Sequence, residues 1–188
     1  VLSALSKSRF SDYWFASGTP TFLVEILKRT DFDLRQLDGI EVSSASLSDD
    51  RANIANPIPM IYQSGYLTIK SFDQRFRSYT LGFPNEEVKY GFLNFAAPFY
   101  TPVAPNDTTF YIGKFVHELE TGDTEAFLTR LTCFFADFPY ELNTKTERHY
   151  QVIFYLVFKL MGQFTQAEIR TAIGRADAVV KTADYIYV

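Results

Sequence analysis

The hydrophobic pattern of this chain changes its period at Gly162, and this change restricts the fold more than any other feature. Before Gly162, apolar side chains at helical spacing cover nearly the whole circumference of one predicted helix: Tyr150, Ile153, Phe154, Val157 and Leu160. Beyond Gly162, three segments alternate as strands do: 164–172, 175–180 and 185–188. The sequence therefore predicts a buried helix followed by a small sheet, with a turn at 181–184.

Aromatic residues are abundant, with 19 Phe, 12 Tyr and one Trp among 188 residues. Such side chains carry large apolar areas and occur mainly in cores and interfaces. Charged residues make up 21% of the chain and hydrophobic residues 47%, so the composition argues against disorder. The length suits one ordinary domain or two small ones.

Cys133 is the single cysteine, which excludes an internal disulfide and favours a reducing compartment. With only two histidines, His117 and His149, the chain cannot assemble the usual four N or S ligands of structural zinc. The aromatic helical surroundings of Cys133 predict a buried thiol, and both histidines are expected at the surface or in caps. No apolar run approaches the roughly 20 residues of a spanning helix. We therefore expect a soluble, cytoplasmic protein with no membrane partner.

Residues 1–100 begin with short helical segments. Thr19 and Pro20 have the residue types of an N-cap and a first helical position, and an amphipathic pattern then continues to about Arg29. A serine-rich polar stretch follows, and residues 58–63 are typical of a short apolar helix or turn.

A β-hairpin is predicted after these helices. Two strand-like runs, 66–70 and 79–83, flank the polar residues 71–78. Asn85 is expected to cap a further helix with two glutamates in its first turn. Helices followed by a two-stranded hairpin are typical of a winged helix.

Residues 101–188 contain three predicted helices before the strands. The apolar stripe of the first is Ile112, Phe115, Val116 and Leu119, and Gly122 is expected to end it. Asp123 is expected to cap the second, whose stripe is Phe127, Leu131, Phe134, Phe135 and Phe138. A capping box from Thr144 to Glu147 precedes the third.

The stretch from Pro98 to Pro105 contains three prolines and no charged residue. Proline at this density ends helices and favours an extended connector. We therefore expect the domain boundary there, between a winged-helix-like region at 1–100 and a helical segment plus small sheet at 101–188. Both halves are slightly acidic, so nucleic-acid binding requires a local basic patch.

Several motifs give the chain a resemblance to one protein family. The segment Gly174-Arg-Ala-Asp-Ala-Val-Val180, after Glu168 and before Asp184-Tyr-Ile-Tyr-Val188, resembles the C-terminal PD-(D/E)XK nuclease-like domain of a bacterial family of AAA-ATPase-like proteins. Three further motifs resemble the region that follows the ATPase core in that family: Ser17-Gly-Thr-Pro20, Gly65-Tyr-Leu-Thr-Ile69 and Leu81-Gly-Phe-Pro-Asn-Glu-Glu-Val88. Together these motifs span most of the chain.

The resemblance implies a metal-dependent nuclease site on the small sheet. In that family an Asp of the second strand binds a divalent metal, and a Glu-x-Lys on the third strand supplies a second carboxylate and a cation. Asp177 matches the second-strand acid, and Glu168 on the first strand is a candidate auxiliary acid. The carboxylates would hold Mg²⁺, which polarises the phosphodiester and lowers the pKa of the attacking water.

No residues match Glu-x-Lys, because the chain ends at Val188, about where that motif would begin. We therefore expect this chain to cleave no nucleic acid and to carry no cofactor itself, with Mg²⁺ and ATP belonging to a longer parent protein. No phosphate-binding loop of the G-x-x-x-x-G-K-[ST] type occurs. The implied ATPase core is thus expected before Val1, and Val1 itself indicates a piece of a longer protein.

Each acidic candidate also has a purely structural interpretation. Asp177 alternates with Arg175 and can form an ordinary surface pair with it. Glu168 can be a solvated strand residue, and the capping box explains Glu147. The resemblance favours an ancestral metal site at Asp177 and leaves Glu168 undecided.

The predicted hairpin carries Lys70, Arg75 and Arg77 against Asp73. This basic cluster is a candidate contact for nucleic-acid phosphates, although such charges are also normal in solvated loops and winged helices dock proteins too. The aromatic residues of the same segment are Tyr66, Phe72, Phe76 and Tyr79. Base stacking is one interpretation of them, and core packing of the hairpin is the favoured one.

The sequence thus predicts a helix-rich α+β protein: a winged-helix-like module, a helical module and a small, truncated sheet. Its predicted function is that of a fragment of an ATPase with a metal-dependent nuclease-like domain acting on nucleic acid. The alternative is a non-catalytic module that binds DNA or protein through the hairpin. A third hypothesis is a homo-oligomerisation scaffold with a degenerate site, in which the exposed edge strand 185–188 pairs two copies.

Overall fold

The computed structural model describes residues 32–47, 56–101, 107–136, 147–162, 164–172 and 175–188, together with Leu23, Ile26, Leu27, Thr30 and Ala104. For residues 134, 136, 147–149, 166–172 and 175–177 it describes the backbone alone. The described residues form a helix-rich α+β structure with two small antiparallel sheets. The chain divides into two compact units, Val1–Phe92 and Leu93–Val188. None of the helices in the described ranges combines the length and the apolar character that a membrane span requires.

The first unit begins, in its described part, with helical residues at the predicted spacing. Leu23, Ile26 and Leu27 are helical and buried, whereas the predicted caps Thr19 and Pro20 lie outside the described residues. The elements that follow are a 3-10 turn (Leu34–Leu37), strand β1 (Ile40–Ser43), helix α1 (Ser44–Leu47), helix α2 (Ile58–Gln63), strand β2 (Thr68–Asp73) and strand β3 (Ser78–Gly82).

The predicted hairpin is confirmed, and it is part of a three-stranded sheet. Strands β2 and β3 pair antiparallel, and β1 pairs along the other side of β3, which makes the order β1-β3-β2. The sequence interpretation missed β1, because it assigned Ser43 and the serines after it to a polar stretch. Only four residues of β1 alternate, and so short a run carries little periodic signal.

One face of this sheet is apolar. Its side chains are buried on the central strand and become more exposed toward the edge strand β2. The paired positions on that face are Ile40, Leu81 and Ile69 in one row, and Val42, Tyr79 and Phe72 in the next. Leu81 on the central strand is 0% exposed, whereas Ile69 and Phe72 on the edge strand are 41% and 47% exposed. The edge strand therefore presents apolar side chains to solvent.

Helix α3 (Glu86–Tyr100) begins as the sequence predicts. The Val88 N–H donates to the Asn85 side chain at 2.9 Å, and the two glutamates of the first turn complement the helix dipole. The prediction that Pro98 lies in an extended connector is wrong, because Pro98 lies inside this helix. Proline lacks the N–H that would bond to the carbonyl four residues earlier, and its ring crowds that carbonyl, but only two residues of α3 follow Pro98. The two compact units divide within α3, and the domain boundary expected between Pro98 and Pro105 stays a prediction.

After the end of α3, the second unit continues with helices α4 (Thr108–Glu120) and α5 (Thr124–Ala136), and both predicted caps between them are confirmed. Gly122 has a φ of 77°, the left-handed conformation that favours glycine after a helix. The Asp123 carboxylate accepts a hydrogen bond from the Ala126 N–H at 3.0 Å. The predicted apolar stripe of α4 is buried.

An ion pair joins α4 to α5. Arg130 Nε donates to Glu118 Oε1 at 2.5 Å, and Glu118 is only 7% exposed. Its other oxygen, Oε2, has no hydrogen-bond partner among the described residues. Because a buried carboxylate is costly without a cation beside it, Arg130 is what makes Glu118 compatible with this position.

Helix α6 (Glu147–Met161) leads into strands β4 (Gln166–Ala172), β5 (Arg175–Lys181) and β6 (Ile186–Tyr187), the order that the sequence predicts. The three strands form an antiparallel meander in the order β4-β5-β6. Ile153, Val157 and Leu160 are buried, but Tyr150 is 37% exposed, so α6 is not buried all round. The predicted cap Thr144 and the stripe residue Phe138 lie outside the described residues.

Candidate functional site

Asp177 lies in β5, the middle strand of the second sheet, in agreement with the strand assignment from the sequence. In the register of β4 and β5, Asp177 is opposite Arg170 and Glu168 is opposite Val179. Glu168 and Asp177 are therefore diagonal neighbours on adjacent strands. Positions related in this way share one face of a sheet and lie about 7–8 Å apart. The backbone thus brings the two candidate acids to neighbouring positions.

Strand β6 pairs with the other side of β5 through a tight turn. Lys181 is opposite Ile186, and the Thr182 N–H donates to the Tyr185 carbonyl at 2.9 Å. In return, the Tyr185 N–H donates to Thr182 Oγ1 at 3.1 Å. These bonds close the turn and set the register in which the third strand runs beside Asp177's strand.

The alternate positions of β5 line an apolar groove. Ala178 and Val180 are part of its wall, together with aromatic side chains from the helices such as Phe127 and Phe158, and its volume is about 420 Å³. Successive positions of a strand lie on opposite faces of the sheet, so the position of Asp177 is on the face opposite the groove. The face that contains Ala178 and Val180 is the apolar one.

Among the described residues in the wall of this groove, Tyr187 is the one with a titratable side chain. Its hydroxyl donates to the Leu119 carbonyl at 2.7 Å, which attaches β6 to the last turn of α4. Desolvation raises the pKa of Tyr187 above its ordinary value, and the neighbouring Tyr185 adds to the shift. Tyr187 therefore remains neutral, and its hydroxyl serves to hold β6 against α4.

Among the side chains that the structure describes, no group of three His, Cys, Asp or Glu comes together. The side chains of Glu168 and Asp177 are not among those that the structure describes. His117 is exposed on α4, as expected, whereas the side chain of His149 lies outside the description.

The predicted burial of Cys133 is wrong, because Cys133 is exposed. It follows Leu131 by two positions on α5, which corresponds to a rotation of about 200° around the helix axis. Cys133 therefore lies away from the apolar stripe that contains Phe127 and Leu131.

The three cations of the first unit's hairpin fall into two places. Arg75 and Arg77 lie in the turn between β2 and β3, and both are exposed. Lys70 lies at a register shift between Ile69 and Ser71, and its Nζ donates to the Pro84 carbonyl at 3.4 Å. The two arginines therefore form the basic tip, and Lys70 lies at the base of the hairpin.

The prediction of core packing for the hairpin aromatics is only partly correct. Tyr66 is 3% exposed and lies 5.2 Å from Phe92 between ring centroids, which confirms it for that residue. It is wrong for Phe72 and Phe76, which are 47% and 69% exposed. Phe72 lies on an edge strand and Phe76 in the turn, and the described strands and helices leave much of both rings exposed. The sequence did contain a signal for the exposure of Phe76, because this residue lies in the predicted turn between two strand-like runs.

Comparison with known proteins gives a family match that covers the second sheet. Residues 145–188, which contain α6 and β4 to β6, match the family model of the PD-(D/E)XK nuclease superfamily. A curated relative, an uncharacterized protein in the vnfD 5′ region of Azotobacter chroococcum mcd 1, is 30% identical over 195 residues. The alignment covers 100% of this chain and 37% of the relative, so the chain spans little more than a third of that protein's length. No solved structure matches the chain.

Proposed function

We propose that the second unit is part of a metal-dependent nuclease-like domain that acts on nucleic acid, with Asp177 as a metal ligand and Glu168 as an auxiliary acid. The observation that carries the proposal is the order of α6 and the β4-β5-β6 meander within the matched residues 145–188, with Asp177 in the middle strand. The neighbouring position of Glu168 supports it. Mg²⁺ is usually bound by one or two carboxylates together with substrate phosphates.

A bound Mg²⁺ would polarise the phosphodiester and lower the pKa of the attacking water. The chain's own contribution is the placement of Glu168 and Asp177 at neighbouring positions on either side of the central Ile169–Ala178 pair of β4 and β5. The competing structural interpretation is an ordinary cross-strand pair, because Arg170 is opposite Asp177. Metal binding separates the two interpretations, since an ion pair requires no divalent cation.

The second half of the nuclease motif is absent from residues 178–188, which contain no Glu-x-Lys. We therefore expect the 188-residue chain to cleave no nucleic acid by itself. Val180 is opposite Tyr187 in the β5–β6 register. If that register continues, the second position after Val188 is opposite Asp177. In a longer protein, an acid at that position would complete a carboxylate pair across the strands.

The longer protein is proposed to combine this domain with an AAA-ATPase-like region that binds ATP. The motifs of the first unit that resemble the region after such an ATPase core support this. The chain's span of 37% of its relative is compatible with further domains in the parent.

The test compares the 188-residue form with a form extended past Val188, using end-labelled DNA and Mg²⁺ or Mn²⁺. We expect the extended form to cleave the DNA and its Asp177→Asn variant to show only background cleavage. The matched control is Asp184→Asn, which changes an exposed aspartate in the β5–β6 turn and should cleave like the unsubstituted form.

Two outcomes would contradict parts of the proposal. Cleavage by the 188-residue form that disappears in Asp177→Ala would contradict the expected inactivity of this chain while supporting the role of Asp177. Equal cleavage by the extended protein and its Asp177→Asn variant would remove Asp177 from the site. If the coding sequence beyond Val188 contains no Glu-x-Lys within a few residues, the binding alternative is favoured over the nuclease.

The second candidate function is a winged-helix-like module that binds DNA or protein through the β2–β3 hairpin. The element order of the first unit supports it, since helical residues, β1, α1 and α2 precede the hairpin and the sheet order is β1-β3-β2. Lys70, Arg75 and Arg77 are the proposed phosphate contacts. Such contacts release counterions, so this binding should weaken steeply as salt is raised.

A further inference from the structure

The tip of the β2–β3 hairpin combines an exposed aromatic ring with a cation. Phe76 is 69% exposed, and the Arg75 guanidinium lies 5.0 Å from its ring centroid. Phe72 on the edge strand is 47% exposed, and its ring lies 4.7 Å from the ring of Tyr79. Removing a phenyl ring from water is favourable in free energy. A partner that covers the ring of Phe76 would therefore gain binding free energy from its burial.

Two hydrogen bonds within the turn stabilise the backbone of this tip. Asp73 Oδ1 accepts hydrogen bonds from the N–H groups of Arg75 at 2.7 Å and Phe76 at 3.0 Å. The Asp73 carboxylate is thereby engaged inside the turn. A turn that is already ordered loses little conformational freedom on binding, so Phe76 is presented as a pre-organised surface.

The charge of the hairpin is opposite to that of the chain. Lys70, Arg75 and Arg77 outnumber Asp73, whereas the chain as a whole has a formal net charge of -4. An anionic partner is therefore attracted to this segment specifically. Nucleic acid supplies both an anionic backbone for the arginines and flat rings for Phe76.

We propose that the hairpin tip binds single-stranded nucleic acid, with one base stacked on Phe76 and the flanking phosphates in contact with Arg75 and Arg77. In a duplex, neighbouring base pairs cover the faces of each base, so only an unpaired base can stack on the ring. This inference rests on the proposal that the hairpin contacts nucleic acid, and it adds the class of substrate and the mode of contact.

The test measures fluorescence anisotropy of labelled oligonucleotides with the 188-residue protein. The ligands are an oligothymidylate, an abasic strand and a duplex, all of the same length. We expect the oligothymidylate to bind about five- to fifty-fold more tightly than the abasic strand, which has the phosphates without the bases. Phe76→Ala should abolish most of this difference without changing the affinity for the abasic strand, and Phe76→Trp should preserve it.

The matched control is Phe110→Ala. Phe110 on α4 is 63% exposed, and Lys114 Nζ lies 5.3 Å from its ring centroid, so the residue resembles Phe76 in exposure and in its cation. We expect this variant to bind all three ligands as the unsubstituted protein does. The double variant Lys70→Gln/Arg77→Gln keeps Arg75 beside Phe76 and should weaken both single strands by the same factor, with a reduced salt dependence.

The outcomes distinguish the two proposals. Equal affinity for the oligothymidylate and the abasic strand, a preference that survives Phe76→Ala, or tighter binding of the duplex would overturn the stacking inference alone. If none of the ligands shows salt-dependent binding, the phosphate contact fails as well, and the exposed rings are then assigned to a protein partner.

Discussion

Tyr66 and Phe76 are aromatic residues of the same hairpin segment, yet their surroundings differ completely. Tyr66 is 3% exposed and packs against Phe92, whereas Phe76 is 69% exposed in the turn. Burial makes ionisation of the Tyr66 phenol unfavourable and raises its pKa above the ordinary value near 10. One residue is a core anchor and the other is a candidate binding surface.

Alkaline pH should destabilise the protein in part through Tyr66. Because its pKa is higher in the folded state, the unfolded chain ionises first, so this contribution is complete below about pH 10 and is lost as the pH rises through the folded-state value. We expect the Tyr66→Phe variant to lose less stability than the unsubstituted protein between about pH 9 and 11. Thermal unfolding across this range measures the difference, and parallel curves would contradict the prediction.

The elements of the second unit meet where the end of α4 contacts β6. Tyr187 donates a hydrogen bond to the Leu119 carbonyl in the last turn of α4. Just beyond that helix, a Cβ placed on Gly122 would lie 2.9 Å from the ring and hydroxyl of Tyr185. The left-handed conformation of Gly122 thus serves both the helix end and the close approach of the strand.

Gly122→Ala should destabilise the second unit by about 1–3 kcal/mol, through the left-handed conformation and through the clash with Tyr185. Chemical denaturation of the single variants and of Gly122→Ala/Tyr185→Ala separates the two causes. We expect the double variant to keep the conformational cost and to lose the steric cost. If Gly122→Ala costs the same in both backgrounds, Tyr185 does not press on this glycine.

At the scale of the whole molecule, the second sheet ends in an exposed strand. Tyr185, Ile186 and Val188 are 44%, 65% and 99% exposed. An apolar strand with an unpaired edge favours association with a further strand. The proposed homo-oligomer would therefore form through β6.

Sedimentation velocity tests this association. We expect the 188-residue form to show a concentration-dependent dimer, and a form extended by a few dozen residues to remain monomeric, because the added chain would cover the edge. A lysine in place of the exposed Ile186 should weaken the dimer without unfolding the sheet. Identical oligomeric states of the two forms would contradict edge pairing.

Much of the fold could be predicted from local patterns, because caps, turns and amphipathic stripes depend on nearby residues. The roles of Asn85, Gly122 and Asp123, the hairpin and the order of α6 and the meander all follow from such signals. For the candidate site, a motif resemblance predicted Asp177 on a second strand. The neighbouring position of Glu168 could not be predicted, because it depends on the register between two strands.

The sequence by itself determined most of the helices and strands and which residue types are available for metal or phosphate contact. The tertiary structure alone decided which of those residues are exposed and which positions are adjacent. Strand β1, the exposure of Phe72 and Phe76, and the exposure of Cys133 all belong to the second group. The physical reason is that burial and strand register arise from contacts between segments distant in the chain, which local periodicity does not contain.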